Sequence, residues 1–186
     1  MTSPQSPPRP THVTDLGRVT GFNPANASWW RAWRQTPSRW RALETEDRAR
    51  LLEAALCLAL ARCAIGLVPF RRIARALGEL GRETPREALP PEKEESALRV
   101  GWAVRAVAAR TPWDSRCLAQ ALAAMAMLRR RRLGGTLYLG VALAPPAGGA
   151  KLEAHAWVRS GPHLLTGAAG HERFAVVASF AGESPT

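Results

Sequence analysis

The sequence predicts an α+β protein, with helices in its first part and an antiparallel sheet at its end. Three observations carry this. Apolar residues recur at helical spacing from Thr45 to about Arg132. After Gly134 the pattern changes to short runs of strand type, and Pro- and Gly-rich turns separate those runs. A chain of 186 residues suits one ordinary domain plus an appended segment, and 46% hydrophobic residues suffice for a real core.

Residues 1–40 read as a flexible Pro- and Trp-rich segment. The start, MTSPQSPPRP, lacks the features of a secretory signal, so a reducing cytoplasm is the expected compartment. Trp29 and Trp33 share a helical face, with Trp30 and Trp40 nearby. A short helix packing its indoles on the main body is favoured over a partner or membrane contact.

Residues 41–110 form the helical part, expected to make one structural domain (41–180) together with the catalytic core. Thr45-Glu46-Asp47 opens a long helix with acids at the positive end of its dipole. The run from Leu51 to Ile65 is apolar on most sides. Glu53, Arg62 and then Pro69 leave it too short to cross a bilayer, so a buried or interfacial helix is expected. A short basic helix ends at Gly78, residues 82–91 form a loop, and a third helix begins at Glu92 with acids in its first turn.

Residues 111–180 hold the candidate catalytic core. Thr111-Pro112-Trp113 breaks the third helix, and a fourth runs from Asp114 or Ser115 to about Arg132. Leu118, Leu122, Met125 and Leu128 form its apolar stripe, and four arginines followed by Gly134 mark its end. Strands are expected at residues 136–143, 152–159 and 163–166, with another at 174–177, arranged as an antiparallel meander.

The net charge is +11, and lysine occurs only at Lys93 and Lys151. Such a balance fits a nucleic-acid surface, a membrane surface or an acidic peptide, and equally a coding bias toward Arg, Ala, Gly and Pro. The arginines are dispersed over helices without a DNA or RNA motif, so no nucleic acid is expected as partner; peripheral membrane contact stays open. Three cysteines with no C-x-x-C pair exclude a zinc knuckle and a thioredoxin-type redox pair. Cys57 and Cys63 read as packing residues, His163 and His171 as surface residues. No metal and no cofactor is expected.

Cys117 stands apart, in the first turn of its helix. Unpaired backbone N–H groups and the helix dipole favour a thiolate there, and the same N–H groups can donate to an oxyanion. His155 lies mid-strand in Glu153-Ala154-His155-Ala156-Trp157-Val158, flanked by small residues, 38 positions on (155 minus 117). A nucleophile and a base in this order fit cysteine hydrolysis, the histidine holding the thiol proton and later giving it to the leaving amine.

The string Thr111-Pro112-Trp113-Asp114-Ser115-Arg116-Cys117-Leu118-Ala119-Gln120-Ala121-Leu122, the Arg-rich helix end, Leu139-Gly140-Val141 and Ala154-His155-Ala156-Trp157-Val158 together resemble the leader peptidases of lasso-peptide biosynthesis. Pro69-Phe70-Arg71-Arg72 and the apolar helix before it resemble that family's helical part. The resemblance covers about residues 38 to 180 and implies a transglutaminase- or papain-like core. It implies a cysteine peptidase that removes the leader from a ribosomal precursor. A separate leader-recognition protein and an ATP-dependent lasso macrocyclase are its implied partners.

One departure bears on mechanism. The family's third catalytic member is an aspartate twelve residues past the histidine, and that position is Gly167 here. The orienting group is left among Thr166, Asp114, Glu153 and Glu172, or the enzyme is a Cys–His dyad. Asp114 is equally a helix N-cap. An aspartate placed at 167 is expected to preserve or raise activity, provided glycine is not needed there for a positive φ. Two alternatives remain: a transglutaminase-like acyltransferase using the same pair, and a non-enzymatic basic module binding nucleic acid or membrane, with Cys117 inert.

Overall fold

In the computed structural model, residues 43–111, 116–143 and 152–182 are described. The Trp29–Trp40 cluster, Asp114 and the turn at residues 145–149 lie outside them.

Among the described residues, four helices precede most of the sheet. They are α1 (Thr45–Leu67), α2 (Phe70–Leu77), α3 (Pro91–Ala108) and α4 (Cys117–Arg130). Pro91 sits at the first position of α3, where a missing N–H costs nothing, and Glu92 and Glu94 complement the dipole. Buried Ala54 and Leu58 of α1, Val100 and Val104 of α3, and Ala121, Met125 and Leu128 of α4 share one core with the sheet. Small residues on these faces let the helices pack closely.

Charged pairs set how the helices meet. Asp47 is buried and binds Arg99 of α3 at 2.9 Å and Arg50 at 3.3 Å. Glu53 receives Arg131 at 2.6 Å and Arg130 at 3.2 Å. The Arg-rich end of α4 therefore clamps α1 besides complementing its own dipole. That end is closed by Arg132, whose φ of 53° is left-handed, and Gly134 is not the stop that the sequence predicts. The backbone N–H of Leu133 reaches back to the Leu128 carbonyl at 3.0 Å.

The sheet is antiparallel throughout, in the order β1-β5-β2-β3-β4: β1 (Glu79–Leu80), β2 (Gly135–Leu143), β3 (Leu152–Ser160), β4 (His163–Thr166) and β5 (Ala175–Gly182). β2, β3 and β4 form the expected meander. β5 departs from it, crossing back to pair with the far edge of β2 and continuing to Gly182. The two-residue β1 is too short to leave an alternating pattern, and pairing with β5 alone defines it.

Alternation gives the sheet two faces. Leu137, Ala156, Val158 and Phe180 point into the helical core. Tyr138, His155, Trp157 and Arg159 belong to the outer face, where Tyr138 and Trp157 stack with ring centroids 5.5 Å apart. Among the described residues, no helix is long and apolar enough to cross a membrane.

Candidate active site

Cys117 is the first residue of α4, after Arg116 in extended conformation. The helix therefore starts two or three residues later than expected; Asp114 and Ser115 lie outside the described residues. Its first backbone bond runs from the Gln120 N–H to the Arg116 carbonyl, at 3.2 Å. The N–H groups of Cys117, Leu118 and Ala119 consequently have no acceptor within the helix. The side chain is half-buried and packs against the helical core. Met125 and Leu128 of the same helix lie over Gly135 at the start of β2. Cys117 is about 12 Å along the axis from Met125, away from that end of the strand.

All three cysteines are free. Cys57 packs against the core as expected, and burial, reinforced by Glu53, pushes its thiol up. Cys63 does not pack: it is exposed, because its position on α1 faces away from α3 and α4.

His155 is half-buried on β3, opposite Gly140 of β2. Its ring lies against Phe174 (centroids 4.9 Å apart) and Trp157 (5.9 Å). Its Nε2 is 2.8 Å from the carbonyl oxygen of Gly167. Trp157 leans over Gly140, where a Cβ would come within 2.8 Å of the indole and 2.9 Å of Phe174 Cβ. That glycine makes room for the aromatic cluster.

Cys117 thus belongs to the helical side of the sheet and His155 to the outer side. Among the described residues no hydrogen bond joins the Cys117 thiol to the His155 ring.

The candidate orienting groups are also placed, apart from Asp114. Glu153 pairs with Arg173 at 3.1 Å, and Glu172 lies 3.0 Å from His171. Thr166 is fully buried, and its hydroxyl has no hydrogen-bond partner among the described residues. None of the three is hydrogen-bonded to His155. Gly167 has φ +66°, and a Cβ there would lie 2.4 Å from the Ala156 carbonyl oxygen. The condition for a tolerated aspartate at 167 fails, so that substitution is expected to strain the chain rather than help it.

His163 and His171 are not simple surface residues. His163 contacts Glu94 of α3 through Nε2, and His171 packs its ring on Trp157 with centroids 5.7 Å apart. Among the described residues no group of three or more His, Cys, Asp or Glu is arranged to hold a metal ion.

Sequence reasoning missed Arg159. It is 5% exposed and donates to the carbonyls of Thr84 (2.7 Å), Pro85 (3.1 Å) and Gly161 (2.7 Å), and to the Tyr138 hydroxyl (3.1 Å). The Tyr138 hydroxyl donates in turn to Glu83 at 2.7 Å, and that bond leads the interactions holding the Glu83 carboxyl below its ordinary range. The only signal was an arginine on the strand that also carries His-Ala-Trp. A groove of about 540 Å³ along α1, lined by Glu46, Leu52, Glu53, Leu56 and Arg131 among others, involves neither Cys117 nor His155.

The α+β fold agrees with the family match found. No curated protein and no solved structure matches the chain. A family profile described as the transglutaminase-like superfamily matches residues 64–179, which include Cys117 and His155 and make up more than half of the chain. The superfamily includes cysteine peptidases and acyltransferases, and its members are usually cysteine-dependent enzymes. The chain belongs to the transglutaminase-like superfamily.

Proposed function

We propose that this protein is a cysteine peptidase removing the leader from a ribosomally made lasso-peptide precursor. Cys117 is the nucleophile and His155 the general base and acid. The observation that carries the reading is the place of Cys117 at the first residue of α4, with three backbone N–H groups unpaired within the helix. The His-Ala-Trp strand and the superfamily membership support it.

The chemistry rests on those groups. His155 takes the Cys117 proton, and the thiolate sulfur attacks the scissile carbonyl carbon. The oxyanion is held by the N–H groups at the start of α4. As the C–N bond breaks, the imidazolium gives its proton to the departing amine, leaving a thioester. Water then attacks the thioester, its proton passes to His155, and the thiol is restored. Because the two side chains lie on opposite sides of the sheet, this scheme requires the start of α4 and the His155 strand to rearrange when substrate binds, a larger change than the tightening of a preformed hydrogen bond.

A separate leader-recognition protein delivers the precursor, and an ATP-dependent macrocyclase consumes the freed core. Support for the first partner comes from α1, where Leu52, Leu56, Leu60 and Leu67 are 62%, 56%, 59% and 83% exposed. Their near-helical spacing makes a stripe beside the groove along α1.

The test is cleavage of candidate precursors, read by mass spectrometry with and without the partner. Cys117→Ala and Cys117→Ser are expected to abolish cleavage while keeping the fold, and His155→Ala to lower turnover about a hundredfold or more. Wild-type cleavage by folded Cys117→Ala would overturn the reading. Transfer of the acyl group to an added amine in preference to water would move it to an acyltransferase.

A further inference from the structure

We infer that the backbone carbonyl of Gly167 is the positioning group for His155, acting where related enzymes use a side-chain carboxylate. This role presupposes the cysteine-peptidase reading above.

Three observations converge on it. The Gly167 oxygen lies 2.8 Å from His155 Nε2, and it is the one hydrogen-bond partner of the ring among the described residues. Among the described residues no carboxylate competes for that nitrogen: Glu153 is held by Arg173 and Glu172 lies against His171. The backbone at 167 is also locked. Its φ is +66°, and a Cβ would meet Ala156 O at 2.4 Å and Trp157 Cβ at 2.9 Å. The exit of β4 is pressed onto β3 so closely that no side chain fits, and the same closeness delivers the carbonyl to the ring. A side-chain carboxylate and this backbone position are mutually exclusive.

A carbonyl oxygen only accepts, which decides the protonation pattern. In the neutral ring Nε2 carries the proton and donates it to Gly167 O, leaving the lone pair on Nδ1. Once substrate binding has brought the two side chains together, as the peptidase reading requires, Nδ1 takes the thiol proton of Cys117 and later passes it to the leaving amine. The Nε2 proton stays in its bond throughout, and the carbonyl gains none. Phe174 and Trp157 flank the ring, so the carbonyl sets its remaining rotation. What a carboxylate would add is a full negative charge beside the imidazolium. The carbonyl supplies the tautomer and geometry with a dipole alone.

The test is nuclear magnetic resonance of the full chain with isotope-labelled histidine and glycine carbonyl, the His155 signals being assigned with His155→Asn. The expected result is a His155 ring that carries a proton on Nε2, with that proton protected from solvent exchange and coupled to the Gly167 carbonyl carbon. Gly167→Ala should lose the coupling and lower kcat at least about tenfold with KM little changed, the scale of a misplaced general base. A bare or freely exchanging Nε2 in the wild type would overturn the inference. So would a folded Gly167→Ala that loses the coupling but keeps wild-type kcat. If Gly167→Ala does not fold, the wild-type spectrum decides alone. Cleavage surviving Cys117→Ala would overturn the peptidase reading instead, leaving the hydrogen bond intact.

Discussion

The two ends of the outer sheet face handle a polar side chain in opposite ways. At one end Arg159 spends its donors on three carbonyls and a tyrosine hydroxyl, and the loop that holds Glu83 to Pro85 is pinned over it. At the other end His155 makes one hydrogen bond and lies between two aromatic rings. A buried guanidinium is tolerated only when its donors are used, which is how structural polar groups are built. In the proposed mechanism a half-buried imidazole with one hydrogen-bonded nitrogen keeps the other for proton transfer. Scaffold and candidate chemistry thus separate along a single strand.

The sharpest way to break that contrast is at Gly167. Gly167→Asp adds a side chain where φ is +66° and Ala156 O blocks the Cβ. A loss of about 2–4 kcal/mol is expected in denaturant unfolding. An undiminished midpoint would show that the exit of β4 can relax, and would remove the reason for a backbone orienter.

Arg159→Met should cost about 2–3 kcal/mol, because the Thr84, Pro85 and Gly161 carbonyls and the Tyr138 hydroxyl lose their partner in a buried setting. If the two ends are as independent as their partners indicate, alkylation of Cys117 and the His155–Gly167 hydrogen-bond coupling should be unchanged in that variant. Coupled changes in both would mean the scaffold end sets the site.

Gly140→Ala places a methyl against Trp157 and Phe174, so about 1–3 kcal/mol should be lost, with near-ultraviolet circular dichroism altered as the indole moves. An unchanged spectrum would argue that the cluster around His155 is loosely held.

The smallest effect is at Glu83. Its carboxyl is held below the ordinary 4.5, first by the Tyr138 hydroxyl and then by Arg86 and Arg159. The stability it contributes is therefore present above pH 4.5 and is lost as the pH falls through the lower folded value. Glu83→Gln should flatten the acid limb of the unfolding midpoint below pH 4.5 and leave neutral pH little changed. An acid limb identical to wild type would remove Glu83 from the scaffold end.

Much of the architecture was legible in local pattern. Helical periodicity placed all four helices, and alternation placed β2, β3 and β4 almost to the residue, since each strand has one face in the core. β5 was underestimated because Val176 and Val177 are exposed while Phe180 to Gly182 are buried, so one strand changes environment along its length. Its place between β1 and β2 leaves no trace in spacing, because strand order depends on which free edge a returning chain finds. Cys117 and His155 were legible as residue types in order. Their faces were not.

What the sequence determined by itself is the α+β class, a cysteine within the first turn of a helix and a strand bearing His-Ala-Trp, because these depend on periods of 3.6 and 2 and on turn chemistry. Only the tertiary structure decided that Arg159 is a buried clasp and that Asp47 and Glu53 join helices. It also decided that position 167 admits no side chain. Each of these depends on atoms brought together from distant parts of the chain, where packing distance and unsatisfied donors decide the outcome.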